Sequence, residues 1–306
     1  MQKTVQTLQT IFRKLQLQNV EVKQSSCTDG GWNITITKEK ILRNITCDCS
    51  FTDSTVCHIT NIQLKRLNIL ATTIPEEFEN LTFLRELSFQ GNGLSGSIPW
   101  EIGEIATLEE LVQESGNFSS LNTAFNRIDG SNLTGKIPDF IGNWTKLTIL
   151  DLQGTSMKGP IPSSISLLTN LEELRISDLT GARSKFPNLK DMKMMKRLVL
   201  RNCLITGGIP SYIAEMKSLK LFFLTNNKLT GAIPDWILTS KRNMDLSYNN
   251  FTSSPRASCQ QSDVYVSLYV HSLLYQFPQF QIVSSVVYNP ALVTLQELSV
   301  QFFILA

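Results

Sequence analysis

Residues 219–234 read LKLFFLTNNKLTGAIP. The same cadence returns as LRELSFQGNGLSGSIP at 84–99, LTILDLQGTSMKGPIP at 147–162 and MKRLVLRNCLITGGIP at 195–210, with the ending SNLTGKIP at 131–138. Proline marks the phase. Pro75, Pro99, Pro138, Pro162, Pro187, Pro210, Pro234 and Pro255 are separated by 24, 39, 24, 25, 23, 24 and 21 residues, and six of the eight follow Ile. Self-similarity at a fixed period of this size is the signature of a stacked repeat architecture.

Each position of the repeat has a physical reading. The apolar-x-apolar step, as in Leu150 and Leu152, predicts a short strand with alternate side chains turned inward. The Asn position (Asn92, Asn227, Asn249) turns the chain, and its amide is placed to bond the neighbouring coil's backbone. Thr155 and Cys203 stand there as weaker substitutes. Gly96, Gly135, Gly159 and Gly231 suit a turn that a β-carbon crowds, and the Ile-Pro step favours extended backbone. One coil cannot bury its own apolar face, and roughly three or more must stack. The sequence offers about eight between residues 60 and 255, an α/β solenoid.

TIFRKLQLQNV at 10–20, CDCSFTDSTVCHITNIQLKRLNI at 47–69, GKIPDFIGNWTKLTILDLQGTSMKGPIPSSI at 135–165, MKRLVLRNCLITGGIP at 195–210 and NMDLSYNNFT at 243–252 together carry a closer likeness. Over about residues 4–263 the chain resembles the extracellular domain of plant leucine-rich-repeat receptor-like serine/threonine kinases that also carry a malectin-like domain. The resemblance implies a right-handed arc of about eight plant-type 24-residue repeats behind an N-terminal cysteine-containing cap. It also implies cell-surface signalling at the extracellular face of the plasma membrane. The implied partners are an extracellular peptide or protein ligand, with a co-receptor as a second partner. The malectin-like domain, membrane helix and kinase of that family are not recognisable here, so no enzyme activity is expected of this chain. The rival functions are a stand-alone secreted repeat protein that inhibits an extracellular enzyme, and a non-functional truncated gene product.

Three divisions follow: a capping helix and Cys-rich cap at 1–58, the solenoid at 59–256, and a non-repeat apolar tail at 257–306. In the cap, Val5, Leu8, Ile11, Phe12 and Leu15 fall at helical spacing. Cys27, Cys47, Cys49 and Cys57 predict two disulfides with three pairings open. A zinc site beside His58 is the rival, but paired C-x-x-C knuckles are missing. The 39-residue step between Pro99 and Pro138 reads as a deletion that leaves one oversized or malformed coil. Beyond Asp263 the text loses the repeat and holds one acid, Glu297. It reads as translated intron or a shifted frame, packing irregularly beyond the last coil. Its Gln, Ser and Pro interruptions and missing basic flank argue against a membrane helix. The opening Met-Gln-Lys-Thr lacks the apolar run of a signal peptide.

Composition limits the chemistry. The chain has 306 residues, 28 Lys plus Arg, 26 Asp plus Glu and a net charge of +2. That balance argues against a nucleic-acid binder. Two histidines, His58 and His271, leave little for a multi-His metal site. Gly91, Gly93 and Gly96 spell the nucleotide-loop string G-x-G-x-x-G, but it runs into Ile-Pro rather than a helix. Neither H-R-D nor D-F-G is present. No cofactor or metal is expected. Asn33, Asn44, Asn80, Asn117, Asn132, Asn143 and Asn250 head N-x-S/T sequons, candidates for glycosylation in the secretory pathway.

Binding is expected on the concave sheet. Outward positions form two columns: Glu86, Ile149, Glu173, Arg197, Leu221, Asn243 and Ser88, Asp151, Arg175, Val199, Phe223, Asp245. Strands ~4.8 Å apart let Glu173 meet Arg197 and Asp151 meet Arg175. Leu221 and Phe223, two large apolar groups turned outward from one strand, mark a contact site. With Arg175, Arg197 and Arg201 beside them, an acidic or carboxylate-bearing peptide or protein is the expected partner.

Overall fold

The computed structural model describes residues 2–17, 32–34, 42–51, 56–67, 69, 72–112, 132–252 and 264–265. Helix α1 spans Gln2–Lys14. It is followed by β1 (Trp32–Ile34), β2 (Leu42–Phe51), β3 (Val56–Lys65), β4 (Glu86–Ser88), β5 (Ser95–Gly96), β6 (Glu110–Val112), β7 (Asn132–Leu133) and β8 (Ile149–Leu152). Then come β9 (Glu173–Ser177), β10 (Ser184–Lys185), β11 (Arg197–Arg201), β12 (Ile205–Gly207), β13 (Leu221–Phe223), β14 (Lys228–Leu229), α2 (Asp235–Thr239), β15 (Asn243–Asp245) and β16 (Val264–Tyr265).

The principal sheet runs β1-β2-β3-β4-β6-β8-β9-β11-β13-β15-β16. Its first two pairings are antiparallel, and every pairing from β3 onward is parallel. The short strands after the Asn turn form smaller parallel sheets, β5-β7 and β10-β12-β14. The return path follows proline. Pro75, Pro99, Pro138, Pro162 and Pro210 are extended, with φ of −65°, −69°, −77°, −67° and −65°, and each introduces a five-residue 3₁₀ turn. Pro234 introduces α2 in the same way.

The repeat's apolar positions build one core. Leu84, Leu87, Phe89, Leu147, Leu150, Leu152, Leu219, Phe222 and Leu224 are all buried. Full burial of such a side chain stabilises by roughly 1.5–3 kcal/mol. Leu8, Ile11, Phe12 and Leu15 of α1 are buried in the same cluster. The opposite face of α1 reaches the first 3₁₀ turn, where Lys14 Nζ lies 2.5 Å from Glu77 Oε1. Trp144 fills the interior and donates from Nε1 to the Ile102 carbonyl at 3.2 Å.

The Asn turns knit adjacent coils. Asn227 Oδ1 accepts from the Cys203 and Ile205 N–H groups at 3.0 and 3.1 Å, and Nδ2 donates to the Leu200 carbonyl at 2.6 Å. Asn92 does the same against Leu67, Ile69 and Leu64. Cys203 replaces this set with one sulfur, 3.3 Å from the Ile176 carbonyl. Gly96 has φ +76°, and a β-carbon there would meet Thr73 Cγ2 at 2.8 Å. Gly159 departs from the turn expected of it. Its φ is not left-handed, its bond to Pro160 is cis, and a β-carbon would find nothing closer than 3.7 Å.

The structure bears on three expectations about organisation. A boundary at 58/59 cuts through β3, because the cap's hairpin and the solenoid share one sheet. The long step between Pro99 and Pro138 retains a regular strand: Glu110, Leu111 and Val112 pair with Glu86, Leu87 and Ser88 on one side and Ile149, Leu150 and Asp151 on the other. Residues 113–131 lie outside the described residues. At the far end, Val264 and Tyr265 pair in parallel with Met244 and Asp245, so the segment assigned to a non-repeat tail contributes a strand. The backbone groups of an edge strand accept such a neighbour without any side-chain pattern. The rest of the tail lies outside the described residues.

Candidate ligand-binding face

The sheet register defines the two outward rows strand by strand. Glu86, Glu110, Ile149, Glu173, Arg197, Leu221 and Asn243 are successive partners in one. Ser88, Val112, Asp151, Arg175, Val199, Phe223 and Asp245 form the other. Glu110 and Val112 were missed in the sequence because the 39-residue step hid their phase. The Leu108-x-x-Leu111 spacing was the available signal. Strand β3 adds Asn61 and Gln63 at the head of the rows.

Outward phase does not equal exposure. Ser88 and Asp151 are 1% and 3% exposed, and Val199 is 9%. Leu221 and Phe223 are half-buried, and Arg197 is exposed. Neighbouring strands stand so close that small side chains sink between larger ones, which is why the short Ser and Asp are covered while Arg197 is not.

The electrostatics divide along the sheet. At its head, Glu86 accepts from Asn61 Nδ2 at 2.8 Å and from Gln63 Nε2. Burial, and then the neighbouring Glu86 carboxylate, push the Glu110 carboxyl above its ordinary value. In the middle, Arg175 reaches Glu173 at 3.0 Å and Asp151 at 3.5 Å. Glu173 also receives Arg197. Arg201 lies 3.9 Å from Asp178, which is itself held by Asn202 Nδ2 at 2.9 Å. Each arginine of the expected contact site therefore already faces a carboxylate. Toward the tail end the rows become apolar at Leu221 and Phe223.

The remaining candidates are dispersed. Cys49 and Cys57 form a disulfide. Cys47 is also disulfide-bonded, its partner lying outside the described residues. Three of the four cap sulfurs are thus oxidised rather than available as thiolate ligands. Cys27 lies outside the described residues, and Cys203 is a buried free thiol whose burial pushes its pKa up. Asn80 and Asn143 are exposed at the ends of two 3₁₀ turns, and Asn250 is exposed after the last Asn turn. Asn33, Asn44 and Asn132 lie in β1, β2 and β7, and Asn117 is outside the described residues. The G-x-G-x-x-G string forms the turn around Asn92 and ends in β5, so no helix N-terminus is offered to a phosphate. No described helix is long and apolar enough to cross a membrane.

Sequence reasoning also passed over Arg242. Its guanidinium donates to the carbonyls of Ile213, Ala214 and Met216 at 2.9, 3.1 and 2.9 Å and lies 5.1 Å from the Trp236 ring centre. Burial lowers its pKa. These bonds satisfy the end of the preceding 3₁₀ turn and lie on the return path, away from the strand rows.

Comparison with known proteins agrees with this architecture. Residues 83–105 match the family described as Leucine Rich Repeat. Two probable LRR receptor-like serine/threonine-protein kinases of Arabidopsis thaliana are each 45% identical over 345 aligned residues, covering 85% of this chain and 33% of the relative. The chain therefore spans about a third of the length of these relatives. Among solved structures, the plant peptide hormone receptor RGFR1 in complex with RGF2 is similar with a TM-score of 0.50 and 30% identity, covering 63% of this chain and 29% of that one. The Arabidopsis receptor kinase HAESA, in complex with the peptide hormone IDA and the co-receptor SERK1, gives 0.52 and 27%, covering 79% and 41%. By repeat phase, parallel sheet and these matches, the chain belongs to the leucine-rich-repeat proteins and is a relative of plant LRR receptor-like serine/threonine kinases.

Proposed function

We propose that this chain is the ligand-binding repeat region of a plant cell-surface receptor-like kinase, with the kinase outside it. Its concave sheet meets an extracellular peptide or protein, and a co-receptor is the second partner. At finer grain the fold is a right-handed arc of about eight coils closed at the amino end by α1 and the disulfide-bearing hairpin. The observation that carries the reading is the half-buried pair Leu221 and Phe223 beside the arginine rows, in a chain 45% identical to receptor-like kinases. HAESA and RGFR1 supply the analogy of a peptide held by a repeat ectodomain.

A partner carboxylate reaches Arg197 or Arg201 by exchanging with Glu173 or Asp178. Half-exposed pairs of this kind are worth roughly 0–1 kcal/mol, so the exchange is inexpensive. The test is calorimetric titration of the secreted chain with a panel of synthetic peptides, each made with a free and an amidated carboxyl end. The expected result is a free-acid peptide that binds the wild-type chain and loses at least tenfold in affinity against Leu221→Asp/Phe223→Asp. A panel with no binder, or a binder indifferent to both changes, overturns the assignment of this face.

A further inference from the structure

Among the seven sequons, two share one register position at the amino end of the concave sheet. Asn33 of β1 pairs with Asn44 of β2, and Asn44 pairs with Gln63 of β3, which pairs in turn with Ser88. This is the row that continues through Asp151 and Arg175 to Phe223. The alternation in β2 is unambiguous at this point: Ile45 is 1% exposed and points inward, while Asn44 is half-buried and Thr46 exposed on the other side. Gln63, on the same side, bonds Glu86 of the outward row. Among the described residues the Asn44 amide makes no hydrogen bond. Asn80 and Asn143, by contrast, lie on the return path and donate weakly to the Glu77 and Gly103 carbonyls at 3.4 and 3.5 Å.

We propose that Asn44 is an N-glycosylation site whose glycan stands on the concave face and closes its amino end, confining the partner to the strands from β8 onward. The donor is a lipid-pyrophosphate-linked oligosaccharide. Its sugar C1–O bond to pyrophosphate breaks, C1 bonds to Asn44 Nδ2, the amide loses one proton, and the lipid pyrophosphate leaves. Attachment to the unfolded chain is compatible with the folded state because the side chain leaves the sheet on its open side. Strands ~4.8 Å apart place β13 seven strand steps, about 34 Å, from Asn44. The glycan therefore covers Gln63, Glu86 and Glu110 and leaves Leu221 and Phe223 free. The inference rests on the extracellular reading above and deepens it by dividing the face.

Lys65 provides a native probe. It shares the outward side of β3 with Asn61 and Gln63. It sits two residues from Asn44's register partner, a diagonal of about 7–8 Å. The experiment expresses the full chain behind a heterologous secretory leader in plant cells, maps site occupancy by mass spectrometry, and acylates surface amines before and after enzymatic glycan release. Occupied Asn44 is expected, with labelling of Lys65 rising several-fold on release and that of exposed Lys220 unchanged. Asn44→Gln reproduces the released state, and Asn143→Gln leaves Lys65 labelling as in wild type. An unoccupied Asn44, or Lys65 labelling indifferent to release, overturns the proposal. Neither outcome bears on peptide binding at Leu221 and Phe223, which the calorimetric titration measures separately.

Discussion

Asn227 joins two coils through one amide. Its removal leaves the Cys203 and Ile205 N–H groups and the Leu200 carbonyl without their partners in a buried seam. An orphaned buried group costs about 1–3 kcal/mol, so Asn227→Ala is expected to lower stability by at least about 2 kcal/mol in urea unfolding. Glu110 works in the opposite sense. Its pKa is raised in the folded chain by burial and by Glu86, so ionisation disfavours the fold. Stability from this group falls as pH rises through its folded value and is regained as pH falls toward 4.5, its ordinary value. Glu110→Gln is therefore expected to raise the urea midpoint at pH 7 and to change it little at pH 3.5. A variant less stable than wild type at pH 7 contradicts the assigned cause.

The principal-sheet strands from β4 to β15 are short, three to five residues each, and none is stable alone. Their positions depend on the turns at either end. Gly96 and Gly207 separate two costs that a repeat glycine combines. Both have left-handed φ, +76° and +86°, but only Gly96 has a neighbour, Thr73 Cγ2, in the place of a β-carbon. A left-handed non-glycine residue costs roughly 1–2 kcal/mol. Gly207→Ala is expected to lose about that much, and Gly96→Ala more. Thr73→Ser, which removes the obstructing methyl, should recover part of the loss in Gly96→Ala and none in Gly207→Ala. Thermal melts of the four variants decide this. Equal losses at the two glycines would mean that conformation alone matters.

At the scale of the molecule, the core and the proposed recognition face occupy different sides of the same strands. Leu198, Phe222 and Met244 lie in the core, whereas Leu221 and Phe223 flank Phe222 on the open side. Leu221→Asp with Phe223→Asp is therefore expected to keep a single cooperative melting transition while losing the partner. Loss of cooperativity would show that these side chains support the stack. The stack accommodates the 39-residue step between Pro99 and Pro138. Each coil contacts its immediate neighbours, and Glu110–Val112 preserves both pairings across it.

Repeat period, strand phase, Asn turns and the outward rows apart from Glu110 and Val112 were legible in the residues, because all four are local and periodic: a side chain's inward or outward direction follows from alternation along a single strand. What the residues left open involved distant partners. The Cys49–Cys57 pairing, the union of cap and solenoid in one sheet, the strand at Val264–Tyr265 and the approach of Arg201 to Asp178 depend on where other segments arrive. The position of Asn44 is the same kind of fact. Its sequon is visible as three letters, and alternation about buried Ile45 gives its side of the strand, but its place at the head of the Gln63–Ser88 row is decided by an antiparallel register with β3. Hydrogen bonds across strands set that register, and no local pattern encodes it.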